Sequence, residues 1–327
     1  MQVAVTGGTG FVGANLVAGL NARGVRPRVL HRVGSSLRAL DGLDYVSVLG
    51  DILDDRPKLI AAFQGCDWVF HAAAVADYWR KGADWVYKVN VEGTQNVLAA
   101  AQAAGVRRLV FTSSLAALGA PRPGRLLTEA DQFNLSPAAF PYGHSKHLAE
   151  AHVRAANQAS LETVIVNPAV ILGPRDVNEI SGSMITEAAR GKLAFLLPGG
   201  VNFIAVEDVV AGHLVAAEKG RPGERYILGG ENWPYRQAIP IICRTVGKPA
   251  PRLAIPGWAM PAAAMGVAGA RRLLGNRVPL DANQVRLARA FIYADSTKAC
   301  RELDLPQTPL PVMVQRTFDW YRANGYL

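Results

Sequence analysis

Tyr142 and Lys146 stand four residues apart in the segment YGHSK, a spacing that puts both side chains on one face of a helix. A phenol with an ordinary pKa near 10 is a poor proton donor and acceptor at neutral pH. An ammonium about 4 Å away, at an effective dielectric near 20, would favour the phenolate by up to ~4 kcal/mol, or about three pKa units. The pair therefore predicts a general acid/base. Upstream, Thr112, Ser113 and Ser114 close the apolar run RRLVF, and the Ser114 hydroxyl can hydrogen-bond the oxygen that Tyr142 protonates. A carbonyl that receives hydride must be polarised and given a proton, and this set of groups suits that task.

A second constellation lies at the start of the chain, where TGGTGFVG places Gly7, Gly10 and Gly13 in a G-x-x-G-x-x-G spacing. The run VAVT precedes it, and Phe11, Val12, Leu16 and Leu20 follow at helical intervals up to Gly24. Glycine permits the tight turn and a close backbone approach to a pyrophosphate, which then rests on the free N–H groups and positive dipole end of the helix. Strand, turn and helix in that order predict a dinucleotide site. At the end of the second strand a carboxylate would bond the adenosine ribose 2′-hydroxyl, whereas a cation would neutralise a 2′-phosphate. His31 and Arg32 stand there, followed by Ser35, Ser36 and Arg38, so NADP(H) is favoured and NAD is the alternative. Asp51, in GDIL after the third strand, is then the acceptor for the adenine amino group.

The elements that must position these groups read as short strands over 2–6, 28–31, 45–49, 68–74, 107–112 and 163–167, with helical patterns at 83–104 and 142–159. The strands are continuous apolar runs, as expected when helices cover both faces of a parallel sheet. After Pro168 the alternation loosens, and Pro and Gly become dense at 197–200 and from 229 to 261. The fold class is thus α/β, a Rossmann-type doubly wound parallel sheet with a smaller C-terminal substrate lobe. The expected division is 1–174 for the dinucleotide-binding part, with later returns near 203–228, and 175–202 plus 229–327 for the lobe.

The 327 residues are 50% hydrophobic and 19% charged, a balance that excludes a disordered chain. Three scattered cysteines exclude a disulfide framework and a Cys-rich zinc module, no metal site is expected, and a reducing cytoplasm is the simplest home. The N-terminus lacks the pattern of a secretory signal. The longest apolar run, 256–270, is too short for a membrane span and contains Pro and Gly. Net charge is +9, but the cations, mostly arginine, are dispersed, which argues against nucleic acid and for phosphorylated small molecules. The stretch GWAMPAAAMGVAGARRLL, capped by Arg271 and Arg272, reads as a packed lid of the substrate lobe in preference to a helix resting on a membrane surface.

The segments TGGTGFVG, GDIL, VFHAAA, NVEGT, LVFTSS, YGHSK and NPAVILGP occur in the order found in extended short-chain dehydrogenases/reductases, and the resemblance covers nearly the whole chain. Within that superfamily the sequence is similar to bacterial dihydroflavonol-reductase-like proteins and hopanoid-associated sugar epimerases, through FIAVEDVVAGH, GERYILGGEN and the ending WYRANGYL. The resemblance implies a seven-stranded parallel sheet, Ser114, Tyr142 and Lys146 as the catalytic triad, and Ala72, Ala73 and Asn90 near the cofactor, with Val170 near the nicotinamide. Phe11 and Val12 at the head of the first helix, Ile52 beside Asp51, and Pro168 complete the candidate cofactor residues, in which Tyr142 and Lys146 also count, Lys146 as a holder of the nicotinamide ribose.

Sugar-nucleotide epimerases of the family usually carry an Arg-Asp pair and a His in the strand that here reads GVNFIAV, where this sequence has Val201, Asn202 and Ala205. Without that diphosphate-clamping Arg, for which Arg175, Arg190 or Arg286 would have to substitute, the reductase branch is favoured. Tyr78, Trp79, Met184, Phe195 and Phe203 would supply an apolar pocket, and Tyr78, Ser114, Met184 and Phe203 are the candidate substrate contacts. The expected activity is that of an NADP(H)-dependent carbonyl reductase/alcohol dehydrogenase for a hydrophobic aldehyde, ketone or flavonoid-like substrate. Two other readings stay open, an epimerase that retains NAD(P) and a non-catalytic cofactor-sensing protein. A homodimer is expected through helices 83–104 and 142–159.

Overall fold

The computed structural model describes residues 1–54, 56–76, 82–275 and 281–327. Its strands are β1 (Val3–Thr6), β2 (Arg28–His31), β3 (Val46–Leu49), β4 (Trp68–His71), β5 (Arg108–Thr112), β6 (Glu162–Pro168), β7 (Val170–Leu172), β8 (Phe195–Leu196), β9 (Gly200–Ala205), β10 (Arg225–Leu228), β11 (Glu231–Pro234), β12 (Leu253–Ala254) and β13 (Phe291–Ile292). The helices are α1 (Phe11–Ala22), α2 (Arg56–Phe63), α3 (Ala83–Tyr87), α4 (Gly93–Ala103), α5 (Pro141–Ala155), α6 (Ser183–Ala189), α7 (Val206–Lys219), α8 (Tyr235–Thr245), α9 (Met260–Leu274), α10 (Ala282–Leu287), α11 (Thr297–Leu303) and α12 (Leu310–Ala323).

Seven of the strands form one parallel sheet in the order β10-β6-β5-β4-β1-β2-β3. From β1 the chain builds outward through β2 and β3, then crosses back to place β4 on the other side of β1. The two crossovers diverge there and leave a crevice at the carboxyl ends of β1 and β4, where a doubly wound sheet binds its ligand. Residues of α1 and α7 pack with Val5, Phe70 and Val166 on one face, and residues of α2, α4 and α5 pack with Ala4, Phe111 and Ile165 on the other. With both faces covered, β4 and β5 are buried along their whole length, which is why they read as unbroken apolar runs.

A second sheet has β9 at its centre, flanked by β7, β11 and β13. Its core draws on Phe203, Leu172, Ile185, Ile239, Met313 and Val314, from strands and from α6, α8 and α12. Residues 203–205 belong to this sheet, whereas α7 and β10 pack on or pair with the main one.

Three elements differ by more than a residue at an end from the sequence reading. The fourth strand ends at His71 rather than at residue 74, freeing 72–76 to line the crevice. The pattern at 83–104 is two helices joined by a π-turn, Lys88–Glu92, whose wider winding carries Asn90 into the interior. The helix that starts at Pro141 stops at Ala155, because the chain turns back through a bridge between Gln158 and Leu161 to enter β6. The apolar stretch 256–274 does form a helix, α9, but not a packed lid: only Met260 and Ala264 of it are buried.

Candidate active site

The glycine turn is shaped by contact as well as by conformation. Gly7 adopts φ +71°, and a Cβ there would lie 2.5 Å from the Ala73 nitrogen. At Gly13 a Cβ would lie 2.2 Å from the Gly7 carbonyl oxygen, so the first turn of α1 packs directly on the turn that precedes it. The Gly10 N–H donates to that same carbonyl at 2.9 Å. Helix α1 begins with no side chain capping it and no acid in its first turn, leaving its amide groups and positive dipole end open toward the crevice. These features fit a dinucleotide pyrophosphate.

Behind the turn, a chain of buried hydrogen bonds sets the distance between β1 and β4. Thr94 Oγ1 donates to the Asn90 carbonyl at 2.7 Å, so it accepts from His71 Nε2 at 3.0 Å, and His71 Nδ1 accepts from Thr6 Oγ1 at 2.7 Å. His71 is therefore a neutral spacer, its pKa pushed down to about 3 by burial and secondarily by Lys146. Asn90 clamps the next segment, accepting from the Val75 N–H at 2.8 Å and donating to the Val75 carbonyl at 3.0 Å and the Ser145 hydroxyl at 2.9 Å. It ties the crevice wall to α5.

Helix α5 carries Tyr142 and Lys146 one turn apart. Gly143 lets that helix cross the 3₁₀ turn Leu115–Leu118 closely, since a Cβ there would lie 2.6 Å from the Ala116 carbonyl oxygen. Ser114 caps that turn, accepting from the Ala116 N–H at 3.2 Å, and its hydroxyl lies near enough to the Tyr142 phenol to pull the phenol's pKa down. Lys146 is 1% exposed. Its Nζ sits 4.1 Å from the centroid of the Phe111 ring, a cation–π contact. An ammonium carries three donors. No acceptor among the described residues takes one from Lys146, so its donors are available to an acceptor outside them. Hydroxyls of a nicotinamide ribose have that chemistry.

The electrostatics correct the sequence reading. Burial raises the Tyr142 pKa, and the opposing influence comes from the nearby Ser114 hydroxyl, not from Lys146. Burial also lowers Lys146 to about 7, partly offset by Glu150, so the ammonium is itself too costly to be the strong lever on the phenol that the i,i+4 spacing suggested. A phenol with a raised pKa is fully protonated at neutral pH.

Glu150, one further turn along α5, is a residue the sequence reading missed. It is 1% exposed, and its carboxylate accepts from Ser113 Oγ at 2.6 Å, Asn167 Nδ2 at 2.6 Å and Arg225 Nη1 at 2.9 Å. Asn167 also donates to the Ser114 carbonyl at 3.0 Å. The carboxylate thus joins α5, the end of β5, β6 and β10 beside the Ser114–Tyr142–Lys146 group: Ser113, which bonds it, precedes Ser114 in the chain, and Lys146 stands one helical turn before it. The signal for it was the continued i,i+4 spacing from Lys146 to Glu150.

The other candidates fall in several places. Arg32 is exposed beyond β2, while Arg38 is engaged, stacking 4.6 Å from the Tyr326 ring centroid and bonding the Asn324 carbonyl. Asp51 accepts from the Leu53 N–H at 3.0 Å, and Ile52 is buried where it packs on Gly93. Phe11, Val12 and Ala72 border the core beside the turn. Pro168 ends β6, and Val170 opposes Phe203 in the second sheet. Phe203 is buried in the core of that sheet with Met184 packed against it, whereas Phe195 is half exposed. Tyr78 and Trp79 lie outside the described residues. Of the arginines considered as diphosphate clamps, Arg175 donates to the Ala39 and Asp41 carbonyls and Arg190 pairs with Glu179 and Glu187. Arg286 instead lines an open cavity of about 380 Å³ with Phe140, Pro261, Leu287, Arg289 and Ala290. Phe140 is the residue that leads into α5, two positions before Tyr142.

Residues 3–229 match the family described as NAD dependent epimerase/dehydratase. A Synechocystis sp. protein bearing the name dihydroflavonol 4-reductase is 36% identical over 99% of this chain and 95% of its own. Sterol demethylase protein B of Methylococcus capsulatus is 34% identical over the full length of both. The crystal structure of gox2253 superposes with a TM-score of 0.86 at 32% identity, covering 99% of each chain. The chain belongs to the NAD dependent epimerase/dehydratase family of extended short-chain dehydrogenases/reductases, a family of oxidoreductases.

Proposed function

We propose that the protein is an NADP(H)-dependent carbonyl reductase/alcohol dehydrogenase for a hydrophobic ketone or aldehyde, with Tyr142 as general acid/base. The observation that carries this reading is the partly buried Tyr142 phenol beside the Ser114 hydroxyl, one helical turn from a buried Lys146 ammonium that meets no acceptor among the described residues. When bound, a reduced nicotinamide supplies the hydride. Gly7, Gly10 and Gly13 with the N-terminus of α1 would hold the pyrophosphate, Arg32 would neutralise a 2′-phosphate, and Lys146 would hold the nicotinamide ribose. Ser114 and Tyr142 would hydrogen-bond the carbonyl oxygen, which leaves its carbon still more electron-poor. As that carbon gains hydride, the Tyr142 O–H gives its proton to the oxygen, and alcohol forms. The raised pKa keeps the phenol in the form that donates.

Support for a hydrophobic substrate comes from the similar proteins, whose names point to a dihydroflavonol and a sterol, both fused-ring molecules with few charges. The engagement of Arg175 and Arg190 elsewhere weighs against a diphosphate-bearing sugar. Tyr142→Phe is expected to abolish NADPH-dependent turnover of a panel of hydrophobic carbonyl compounds while the variant still binds nucleotide, measured by calorimetry. Substantial residual turnover in that variant would overturn the role.

A further inference from the structure

From Pro256 to Ala270 the chain has no charged side chain, and the Trp258 indole is the one group there that can hydrogen-bond. Buried helices have such composition, yet α9 and the turn before it lie on the surface. Trp258 is 83% exposed, Met265 63% and Leu273 85%, and the two-stranded sheet that leads into the turn exposes Leu253 as well. A water-facing helix ordinarily turns charged residues outward, and large apolar side chains exposed along a surface helix point to an interaction surface.

The charge around it identifies the partner. Between Lys248 and Ala294 the sequence carries six arginines and one lysine against a single carboxylate, Asp281. This is a net +6 within 47 residues, out of +9 for the whole chain. Arg252, Arg272, Arg286 and Arg289 are exposed. A second copy meeting this face with the same face would bring the same excess positive charge to the contact and be repelled. An apolar face rimmed by arginines, with tryptophan at one end, instead suits the boundary between anionic headgroups and acyl chains. The helix is 15 residues long, and at 1.5 Å per residue it extends about 22 Å, less than the roughly 30 Å hydrocarbon core of a bilayer. No helix among the described residues is long and apolar enough to cross a membrane.

We infer that the surface formed by Gly257–Ala259 and α9 docks in the plane of an anionic phospholipid bilayer, with Trp258, Met265 and Leu273 among the acyl chains and the flanking arginines at the headgroups. Pro261 of this helix and Arg286 and Leu287 of α10 also line the cavity beside Phe140, so the docked face adjoins a cavity next to the helix that carries Tyr142. The docking rests on surface composition alone and does not depend on the proposed reaction.

Co-sedimentation of the full-length protein with vesicles of equal parts phosphatidylglycerol and phosphatidylcholine tests it. The protein should pellet with these vesicles, remain in the supernatant with pure phosphatidylcholine, and release as salt is raised. The double variant Met265→Asp/Leu273→Asp should lose at least tenfold in vesicle affinity while keeping its circular dichroism spectrum and nucleotide binding. A wild-type protein that ignores anionic vesicles overturns the inference, as does a variant that binds them equally well. So does light scattering that shows the two substitutions dissociating an oligomer of a protein that binds no vesicles. Turnover is not a readout here, so failure of the docking and failure of the reductase reading are distinguishable.

Discussion

Replacing Lys146 by Met should raise thermal stability at neutral pH while ending turnover. The ammonium is 1% exposed, and burial lowers its pKa from 10.5 to about 7. A base with a depressed folded-state pKa binds fewer protons folded than unfolded, so it destabilises the fold. That cost is fully present below the folded value of about 7, shrinks as pH rises, and is gone above the unfolded value of 10.5. At 1.36 kcal/mol per pKa unit it amounts to about 4 kcal/mol at pH 7, and about 2 kcal/mol of it is relieved by pH 8.5. An unfolding entropy near 2.1 cal/mol/K per residue makes 4 kcal/mol worth about 6 °C in Tm for a chain of this length. Met keeps the apolar stem and its packing against Phe111 but carries no charge to desolvate. Calorimetric scans of parent and variant at the two pH values check this, and the gap should narrow by about 2 kcal/mol at the higher one. His71 and His213, lowered to about 3 and 4, have no remaining pH slope above the unfolded value of 6.5 and cancel in the comparison. A variant less stable than the parent at pH 7, or a gap that does not change with pH, would refute the account of Lys146 as a buried, costly cation.

On the proposed reading, Arg32→Glu should favour NADH over NADPH, because it removes the charge-assisted hydrogen bond proposed to the 2′-phosphate, worth about 1.5–3 kcal/mol, or roughly 10–150-fold in Kd, and adds a like charge. Titration with both nucleotides measures it, and an unchanged ratio would show that Arg32 does not face the 2′-phosphate. Gly13→Ala puts a methyl 2.2 Å from the Gly7 carbonyl and should cost about 1–3 kcal/mol of stability together with nucleotide binding. Chemical denaturation and nucleotide titration of that variant test both effects, and normal values for both would refute the close approach. Glu150→Gln leaves Arg225 buried without its counter-charge and should destabilise by about 3–5 kcal/mol. It should also displace the pH profile of kcat toward lower pH, because Glu150 is the group that raises Lys146 against desolvation. A variant with parental stability and an unmoved profile would remove Glu150 from its positioning role.

The Glu150 network explains how a flexible hydroxyl, a phenol and an ammonium are held in one arrangement. Ser114 is fixed through its own cap on the 3₁₀ turn and through its carbonyl bonded to Asn167, which in turn bonds Glu150. Tyr142 and Lys146 are fixed by a helix whose close crossing needs Gly143 and whose inner face carries the same Glu150. The groups that would meet substrate thus stand on one connected set of buried hydrogen bonds, so they need little reorganisation when a carbonyl arrives.

The local sequence determined the glycine turn, the helix bearing Tyr142 and Lys146, and the parallel strands. Each is a short-range property: a positive φ or close approach that only glycine allows, an i,i+4 repeat, an apolar run that needs cover on both faces. Tertiary structure alone decided the rest. Glu150 meets Arg225 across 75 residues and Thr6 meets His71 across 65, separations at which spacing carries no signal. The direction of the Tyr142 shift was decided by burial, and burial depends on what the whole chain stacks above a residue, which a pairwise estimate from an i,i+4 spacing leaves out. Helix α9 makes the same point from the surface: an apolar stretch reads alike whether protein or an interface covers it, and only the packed fold shows that no other element of the described chain covers most of it.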